Sequence, residues 1–328
     1  MTSAGDERLT IASYLDPATQ DQSMRDEVKR SLTAEPKTLP AKYFYDEHGS
    51  RLFEQITELP EYYPTRTELG ILRTIADPLI SQGGYRELVE IGSGAAVKTR
   101  TLLDAMQASG TLERYVPLDV SEEMLRQSSY DLLARYPGMC IHGVVGDFQR
   151  DLDKVPAAVG RRLVIFLGST IGNLEADERL ALLRATRGLL HPGDAFLLGI
   201  DLVKDIPVIE AAYNDSAGVT AAFNRNILAV INRQFDVDFQ PAAFAHRAFY
   251  NRDQERIEMH LVPDERQVAT LRRIDLTVEV AAGESIRTEI SCKFTRDRAT
   301  AMLEAAGLRL ASWYSDPKEL FGLVLATV

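Results

Sequence analysis

Leu88-Val-Glu-Ile-Gly-Ser-Gly94 is a short apolar strand that breaks into a glycine turn and carries one acid, Glu90. A helix-like run, Val97 to Met106, follows at once, and a second strand, Tyr115-Val-Pro-Leu-Asp119, ends in another acid. Strand, turn, helix and strand in this order make a unit that binds a nucleoside cofactor. Glycines let the backbone approach the ligand, and the acid closing the second strand takes the ribose hydroxyls. The same letters also describe a tight turn between a buried strand and its helix.

A third glycine would favour a dinucleotide, because it brings the helix close to the strand and points its N-terminus at a pyrophosphate. Position 97 is Val instead. Glu90-x-Gly92-x-Gly94 has the shape seen in class I methyltransferases, whose cofactor, S-adenosylmethionine, has no pyrophosphate to cradle.

Outward from this turn, apolar runs alternate with helical ones: Leu88–Ile91, Tyr115–Asp119, Met139–Val145, Arg162–Gly168 and Ala195–Asp201 read as strands. Such alternation implies a mostly parallel sheet with helices on both faces. The turn Leu189-Leu-His-Pro-Gly-Asp194 introduces the fifth of them. Upstream, helices are expected over Asp21–Thr33 and Thr65–Ser81, while residues 1–20 read as polar and loosely ordered. After Asp201 the alternation fails for about eighty residues. There Phe223–Asn232 looks helical, and Arg247–Val262 and Arg272–Ala281 look like antiparallel strands. A helix, Arg296–Ala306, and two strands, Leu308–Tyr314 and Leu320–Thr327, close the chain. Their short connection makes the last pair an antiparallel hairpin. The expected organisation is one domain of residues 61–201 plus 286–328, and a substrate-binding lobe of 1–60 plus 202–285, an insertion between the fifth and sixth strands.

Composition narrows the class. The 328 residues are 45% hydrophobic and 26% charged, as in globular proteins. A net charge of −11 without a Lys/Arg cluster argues against a nucleic-acid partner. Cys140 and Cys292 are far apart and fit reduced thiols. No apolar run is long enough to span a membrane, and Met1–Arg8 lacks a signal-peptide core, so a cytoplasmic protein is expected, with a monomer as the default. His48, His142, His191, His246 and His260 show no ligand spacing, so no metal is expected. No Gly-x-Ser-x-Gly element offers a hydrolase nucleophile.

Ligands of an open parallel sheet bind beyond the carboxyl ends of its strands. Gly146-Asp-Phe148 follows the third: Asp147 can accept from an adenine amino group while Phe148 packs on the base, or the pair can be a helix cap with a core ring. Gly168-Ser-Thr-Ile-Gly-Asn173 follows the fourth, where a substrate nucleophile is often held, although Asn173 equally suits a turn. Tyr43, Tyr45, Tyr62 and Tyr63 are four phenols that usually pack but can form a lid over a cofactor. In Thr288-Glu-Ile-Ser-Cys-Lys293, strand alternation puts Glu289 and Ser291 on one face, which is either a site or a solvated surface.

From about Tyr14 to Val328 the chain resembles the histidine-specific, S-adenosylmethionine-dependent Nα-methyltransferases of ergothioneine biosynthesis. The resemblance rests on Lys42-Tyr-Phe-Tyr-Asp46, Leu59-Pro-Glu-Tyr-Tyr-Pro-Thr-Arg-Thr-Glu68, Phe166-Leu-Gly-Ser-Thr-Ile-Gly-Asn173, Gly218-Val-Thr-Ala-Ala-Phe-Asn-Arg-Asn226 and Glu289-Ile-Ser-Cys-Lys-Phe294. Ala95 and Ala96, in a turn often richer in Ser and Thr, and Tyr43, in place of a frequent Trp, depart from the pattern. The resemblance implies an α/β fold with a Rossmann-like class I methyltransferase sheet. It implies cofactor contacts at Gly92, Lys98, Asp119, Asp147 and Phe148. Tyr62, Asn173 and Tyr213 match positions holding the amino acid's carboxylate and amine, Glu289 and Ser291 match imidazole contacts, and Tyr45 lies near the cofactor in the family's arrangement. It further implies that L-histidine is methylated three times to the betaine hercynine. The competing readings are a methyltransferase for another amine such as tryptophan or tyramine, an NAD-dependent oxidoreductase, and a catalytically silent S-adenosylmethionine-binding regulator. Val97 counts against the oxidoreductase, and Glu289 counts against an indole substrate.

Overall fold

The computed structural model describes residues 6–328. In chain order its strands and helices are β1 (Leu9–Ser13), α1 (Pro17–Thr33), α2 (Glu47–Glu58), α3 (Tyr63–Gly83), β2 (Glu87–Ile91), α4 (Thr99–Ala108), β3 (Arg114–Asp119), α5 (Glu122–Arg135), β4 (Cys140–Val145) and β5 (Arg162–Phe166). They continue as α6 (Ala176–Gly188), β6 (Ala195–Asp201), α7 (Ile206–Tyr213), α8 (Val219–Phe235), β7 (Phe244–Asn251), β8 (Arg256–Pro263), β9 (Gln267–Leu271), β10 (Leu276–Val280), β11 (Ile286–Cys292), α9 (Arg296–Ala305), β12 (Arg309–Ser315) and β13 (Phe321–Thr327). The chain divides into two compact units. The first holds the chain up to Asp16, Thr67–Leu202 and Phe294–Val328; the second holds Pro17–Arg66 and Val203–Lys293.

The first unit is built on one eight-stranded sheet in the order β1-β4-β3-β2-β5-β6-β13-β12. Strands β1 to β6 are parallel, and β13 joins β6 antiparallel, with β12 as its hairpin partner. Every residue of β2, β5 and β6 is buried, as expected of interior strands covered on both faces. Leu88, Leu102, Leu132, Leu163 and Leu197 belong to the core that packs helices onto this sheet. Helix α5 starts where Ser121 caps the Met124 N–H and Glu122 and Glu123 occupy the first turn. Strand order reverses between β2 and β5, on either side of which α/β sheets open a ligand crevice. This is the Rossmann-like sheet expected from the alternation.

The second unit contains the three-stranded antiparallel sheet β11-β8-β7 and the β9-β10 hairpin, with α1, α2, α7 and α8. Helix α2 is set by Asp46, whose carboxylate accepts from the Gly49 N–H at 2.7 Å. A Cβ at Gly49 would lie 1.7 Å from the Phe44 carbonyl oxygen, so only glycine permits this approach.

Two boundaries differ from the sequence reading. The N-terminal segment is not all loose or all in the second lobe, because Leu9–Ser13 pairs with Ile141–Val145 at the sheet edge. Arg8 anchors it by donating to the Pro137 carbonyl at 2.9 Å. Five residues carry too little periodicity to announce a strand until a partner edge exists. For residues 1–5 the expectation lies outside the described residues. Residues 286–293 fall in the second unit, because β11 finds its hydrogen bonds on β8 rather than in the large sheet. Strand β9 also went unread, being short and broken by the turn at Arg272–Ile274.

Candidate active site

The glycine turn follows β2 as expected. Gly92 and Gly94 have φ of 68° and 48°, a conformation that penalises any side chain. The Gly92 N–H donates to the Leu118 carbonyl, tying the turn to β3. Asp119, at the end of β3, accepts from the Gly94 N–H at 2.8 Å and the Ser121 N–H at 3.0 Å. Each carboxylate oxygen thus makes one backbone bond and retains a lone pair for a ligand hydroxyl. The Gly146 N–H donates to the Asp119 carbonyl, so the turn after β4 starts beside this acid. There Phe148 is half-buried against Phe166, ring centres 5.4 Å apart. Asp147 accepts from the Gln149 N–H at 3.0 Å and pairs with Arg150 at 3.5 Å, so the segment is a turn and not a helix cap.

This crevice fits S-adenosylmethionine on two structural grounds. No described residue fills the space beside Gly94, where a Cβ would meet no atom within 4 Å. The Ser93 hydroxyl in the same turn is buried and makes no hydrogen bond with any described residue. Lys98 has a defined partner already: its ammonium donates to Glu68, which is fully buried and accepts from the Gly168 N–H at 2.8 Å. Any contact of Lys98 with the cofactor uses another of its three N–H groups. Sequence reading overlooked Glu68, although it closes one of the strings quoted above. Glu90 points inward, receiving the hydroxyls of Thr99 and Tyr115. Burial pushes its carboxyl up to about 7. With both oxygens taken by protein hydroxyls, it supports the turn.

The loop after β5 carries two left-handed residues in succession, Gly168 and Ser169. Ser169, a strained position for a non-glycine, is held there by accepting from the Asp201 N–H at 2.9 Å. The short helical turn Thr170–Asn173 follows. Asn173 is partly buried, in the first unit, and its amide bonds to no described residue.

Tyr45, Tyr62, Tyr213, Glu289 and Ser291 all lie in the second unit. Tyr62 and Tyr213 approach edge to face at 6.5 Å. Tyr45 meets Phe53 and Phe223 at 5.6 Å each, and Phe53 reaches Tyr62 at 6.2 Å. A continuous aromatic wall results. Phe53 and Phe223 were not singled out from the sequence, although Phe223 lies in a quoted string. Tyr45 exposes 48% of its surface, yet its hydroxyl is desolvated, and with Glu289 nearby its phenol is pushed well above the usual range. It is a neutral hydroxyl and not a base.

Glu289 and Ser291 share a face of β11, but it is no solvated face: Glu289 is partly buried and Ser291 buried. Desolvation raises the Glu289 carboxyl to about 7, against the pull of Lys293. No described residue hydrogen-bonds to that carboxylate. Beneath them Lys293, fully buried, donates to Ser291 Oγ at 2.9 Å and Tyr213 Oη at 3.1 Å. Tyr213 is held from its backbone side too. His246 Nε2 donates to its carbonyl at 2.8 Å, while Nδ1 takes the Asn224 amide, whose oxygen accepts from Thr288. Burial lowers the His246 pKa, which suits this neutral tautomer.

Among the described residues, no group of three or more His, Cys, Asp or Glu side chains is placed to hold a metal, and no helix is long and apolar enough to cross a membrane.

Comparison with known proteins follows the same line. A family model described as histidine-specific methyltransferase, SAM-dependent, matches residues 24–328. The histidine N-alpha-methyltransferase of Mycolicibacterium smegmatis is 51% identical over 318 residues, covering 97% of this chain and 99% of that one. Its counterpart in Mycobacterium tuberculosis is 47% identical over 319 residues, with the same coverage. Ergothioneine biosynthesis protein 1 of Schizosaccharomyces pombe is 31% identical over 226 residues, covering 66% of this chain and 29% of that protein.

Proposed function

The chain belongs to the histidine-specific, S-adenosylmethionine-dependent methyltransferases, and we propose that Glu289 and Ser291 read the imidazole of L-histidine while its α-amine is methylated three times to hercynine. The enzyme performs the S-adenosylmethionine-dependent Nα-methylation of histidine, a step of ergothioneine biosynthesis. The observation that carries the residue assignment is Glu289, a desolvated carboxylate that takes no hydrogen bond from any described residue, beside a wall of aromatic rings.

S-adenosylmethionine supplies, when bound, a methyl group on a sulfonium. Gly92 and Gly94 let the backbone approach it, Asp119 takes the ribose hydroxyls, and Asp147 and Phe148 hold the adenine, with Lys98 contributing a further N–H. In-line displacement needs alignment and a neutral amine more than a strong base. Tyr45 orients that amine through its hydroxyl, which stays protonated. Tyr62 and Tyr213 donate to the α-carboxylate, and Asn173 is the amide donor that the family pattern adds. The faces of Tyr45, Phe53 and Phe223 suit a nitrogen that turns into a methylated ammonium. Both cysteines are free thiols, which suits a cytoplasmic enzyme, and a monomer is the simplest assembly.

The test is release of S-adenosylhomocysteine with each of the twenty amino acids and with histamine. Histidine should be the preferred substrate, yielding the trimethylated product by mass. Histamine, lacking the carboxylate, should be very poor. Efficient methylation of histamine would remove Tyr62, Asn173 and Tyr213 from the carboxylate anchor, and turnover of tryptophan in place of histidine would remove Glu289 from its role.

A further inference from the structure

We propose that Lys293 is a positioning residue: it sets the hydrogen-bond polarity of the imidazole pocket by filling an acceptor site of Ser291, which turns the serine's own hydrogen toward the ligand. The inference rests on the assignment of Glu289 and Ser291 to the imidazole.

Lys293 is 0% exposed and directly follows β11, on the same strand parity as Glu289 and Ser291. Its ammonium lies 2.9 Å from Ser291 Oγ, 3.1 Å from Tyr213 Oη and 4.9 Å from the centre of the Tyr213 ring. An ammonium has three donors and no acceptor. Ser291 Oγ must therefore accept from it, and the serine's own hydrogen is turned elsewhere. No described residue takes that hydrogen, and Ser291 is 3% exposed, so water competes little for it. Ser291 accordingly presents a donor. Ionised Glu289, two residues away on the same face, presents only acceptors.

One acceptor and one donor are the complement of neutral imidazole, which has one N–H and one bare nitrogen. Imidazolium, with two N–H groups and no acceptor, would leave the serine hydrogen unpaired. An indole or a phenyl ring would leave both protein groups unmatched, at the cost of burying unpaired polar atoms. The buried ammonium also supplies the positive charge that makes an ionised Glu289 tolerable in a dry pocket, since a lone buried carboxylate is expensive. One lysine, acting through Ser291 and through its charge on Glu289, thus determines how two residues read the ring.

The experiment compares wild type with Lys293→Met, which keeps the length and removes the donors, Ser291→Ala, and the double variant. KM and kcat for histidine, the affinity for S-adenosylhomocysteine and thermal unfolding are measured for each. If Lys293 acts through Ser291, Lys293→Met raises the histidine KM roughly tenfold or more, with a smaller effect on kcat and unchanged S-adenosylhomocysteine affinity. The double variant should then be little worse than Lys293→Met alone, because the two changes remove the same interaction. Strictly multiplicative effects on KM, or an unchanged KM in a folded Lys293→Met protein, would overturn the proposal. If Lys293→Met does not fold, Lys293→Gln takes its place. That amide retains a donor for Ser291, so a smaller KM increase with the same coupling is expected, and multiplicative effects again overturn the inference. Failure of the imidazole assignment is separately visible: Ser291→Ala alone would then leave the histidine KM unchanged.

Discussion

Glu90 in the eight-stranded sheet and Glu289 in the three-stranded one titrate alike and are held in opposite ways. Burial raises both carboxyls to about 7. Glu90 takes hydroxyl donors from Thr99 and Tyr115, whereas Glu289 takes none from any described residue and is drawn down by the charge of Lys293. A desolvated group whose bonds are made belongs to the fold. One whose bonds are not made is arranged for a ligand. A shifted titration therefore does not separate support from site; the hydrogen-bond partners do.

The sharpest way to break this contrast is thermal unfolding of two alanine variants. Glu90→Ala should cost about 2–4 kcal/mol, because it opens a cavity and orphans two buried hydroxyls. Glu289→Ala, which orphans only the charge of Lys293, should cost markedly less. Equal losses would make Glu289 a structural residue.

Asp119 lies between the two, satisfied by backbone N–H groups yet retaining lone pairs. Asp119→Ala should weaken S-adenosylhomocysteine binding by about 1.5–3 kcal/mol in calorimetry, the loss of a charged hydrogen bond. Unchanged affinity would return this acid to a purely local role in its turn.

Glu289→Ala should lower kcat/KM for histidine by about 1–3 kcal/mol, roughly 5- to 150-fold, with cofactor affinity almost unchanged. The ratio of kcat/KM for histidine over tryptophan and phenylalanine should fall as well. A constant ratio would place histidine selection elsewhere.

The smallest effect concerns pH. The Glu289 carboxyl titrates above the ordinary glutamate value of 4.5, so between that value and about 7 the folded chain binds more protons than the unfolded one. Its contribution to stability is whole below 4.5 and lost as pH rises through about 7. Glu289→Gln does not titrate and should therefore gain on wild type over this window. The expected gain is about 1 kcal/mol in denaturant unfolding, modest because the residue keeps some contact with water. A gain on acidification instead would reverse the assigned shift.

The glycine turn and its closing acid were legible because they are local. A strand ending in Gly92-Ser-Gly94 needs left-handed backbone there, and Asp119 stands one strand later in the same unit. The pairing of Glu289 with Ser291 was legible for the same reason, since alternation along one strand needs no knowledge of its neighbours. Whether that face was wet or dry was not legible. Nor were the sheet-edge role of Leu9–Ser13 and the partner of β11, because a strand shows its periodicity but not the edge it joins.

By itself, then, the sequence determined the parallel core, the cofactor turn and the order of its acids, all of which follow from periodicity, glycine conformation and short spacing. Its long shared strings determined the family. Only the tertiary structure decided that Tyr45, Phe53, Tyr62, Tyr213 and Phe223 form one wall, that Glu68 occupies Lys98, and that Lys293 is buried beneath Ser291 and Tyr213. The reason is desolvation. A lysine or a glutamate has the same letter in water and in a dry interior. Its charge, its partners and its chemistry are set by which distant segments close around it.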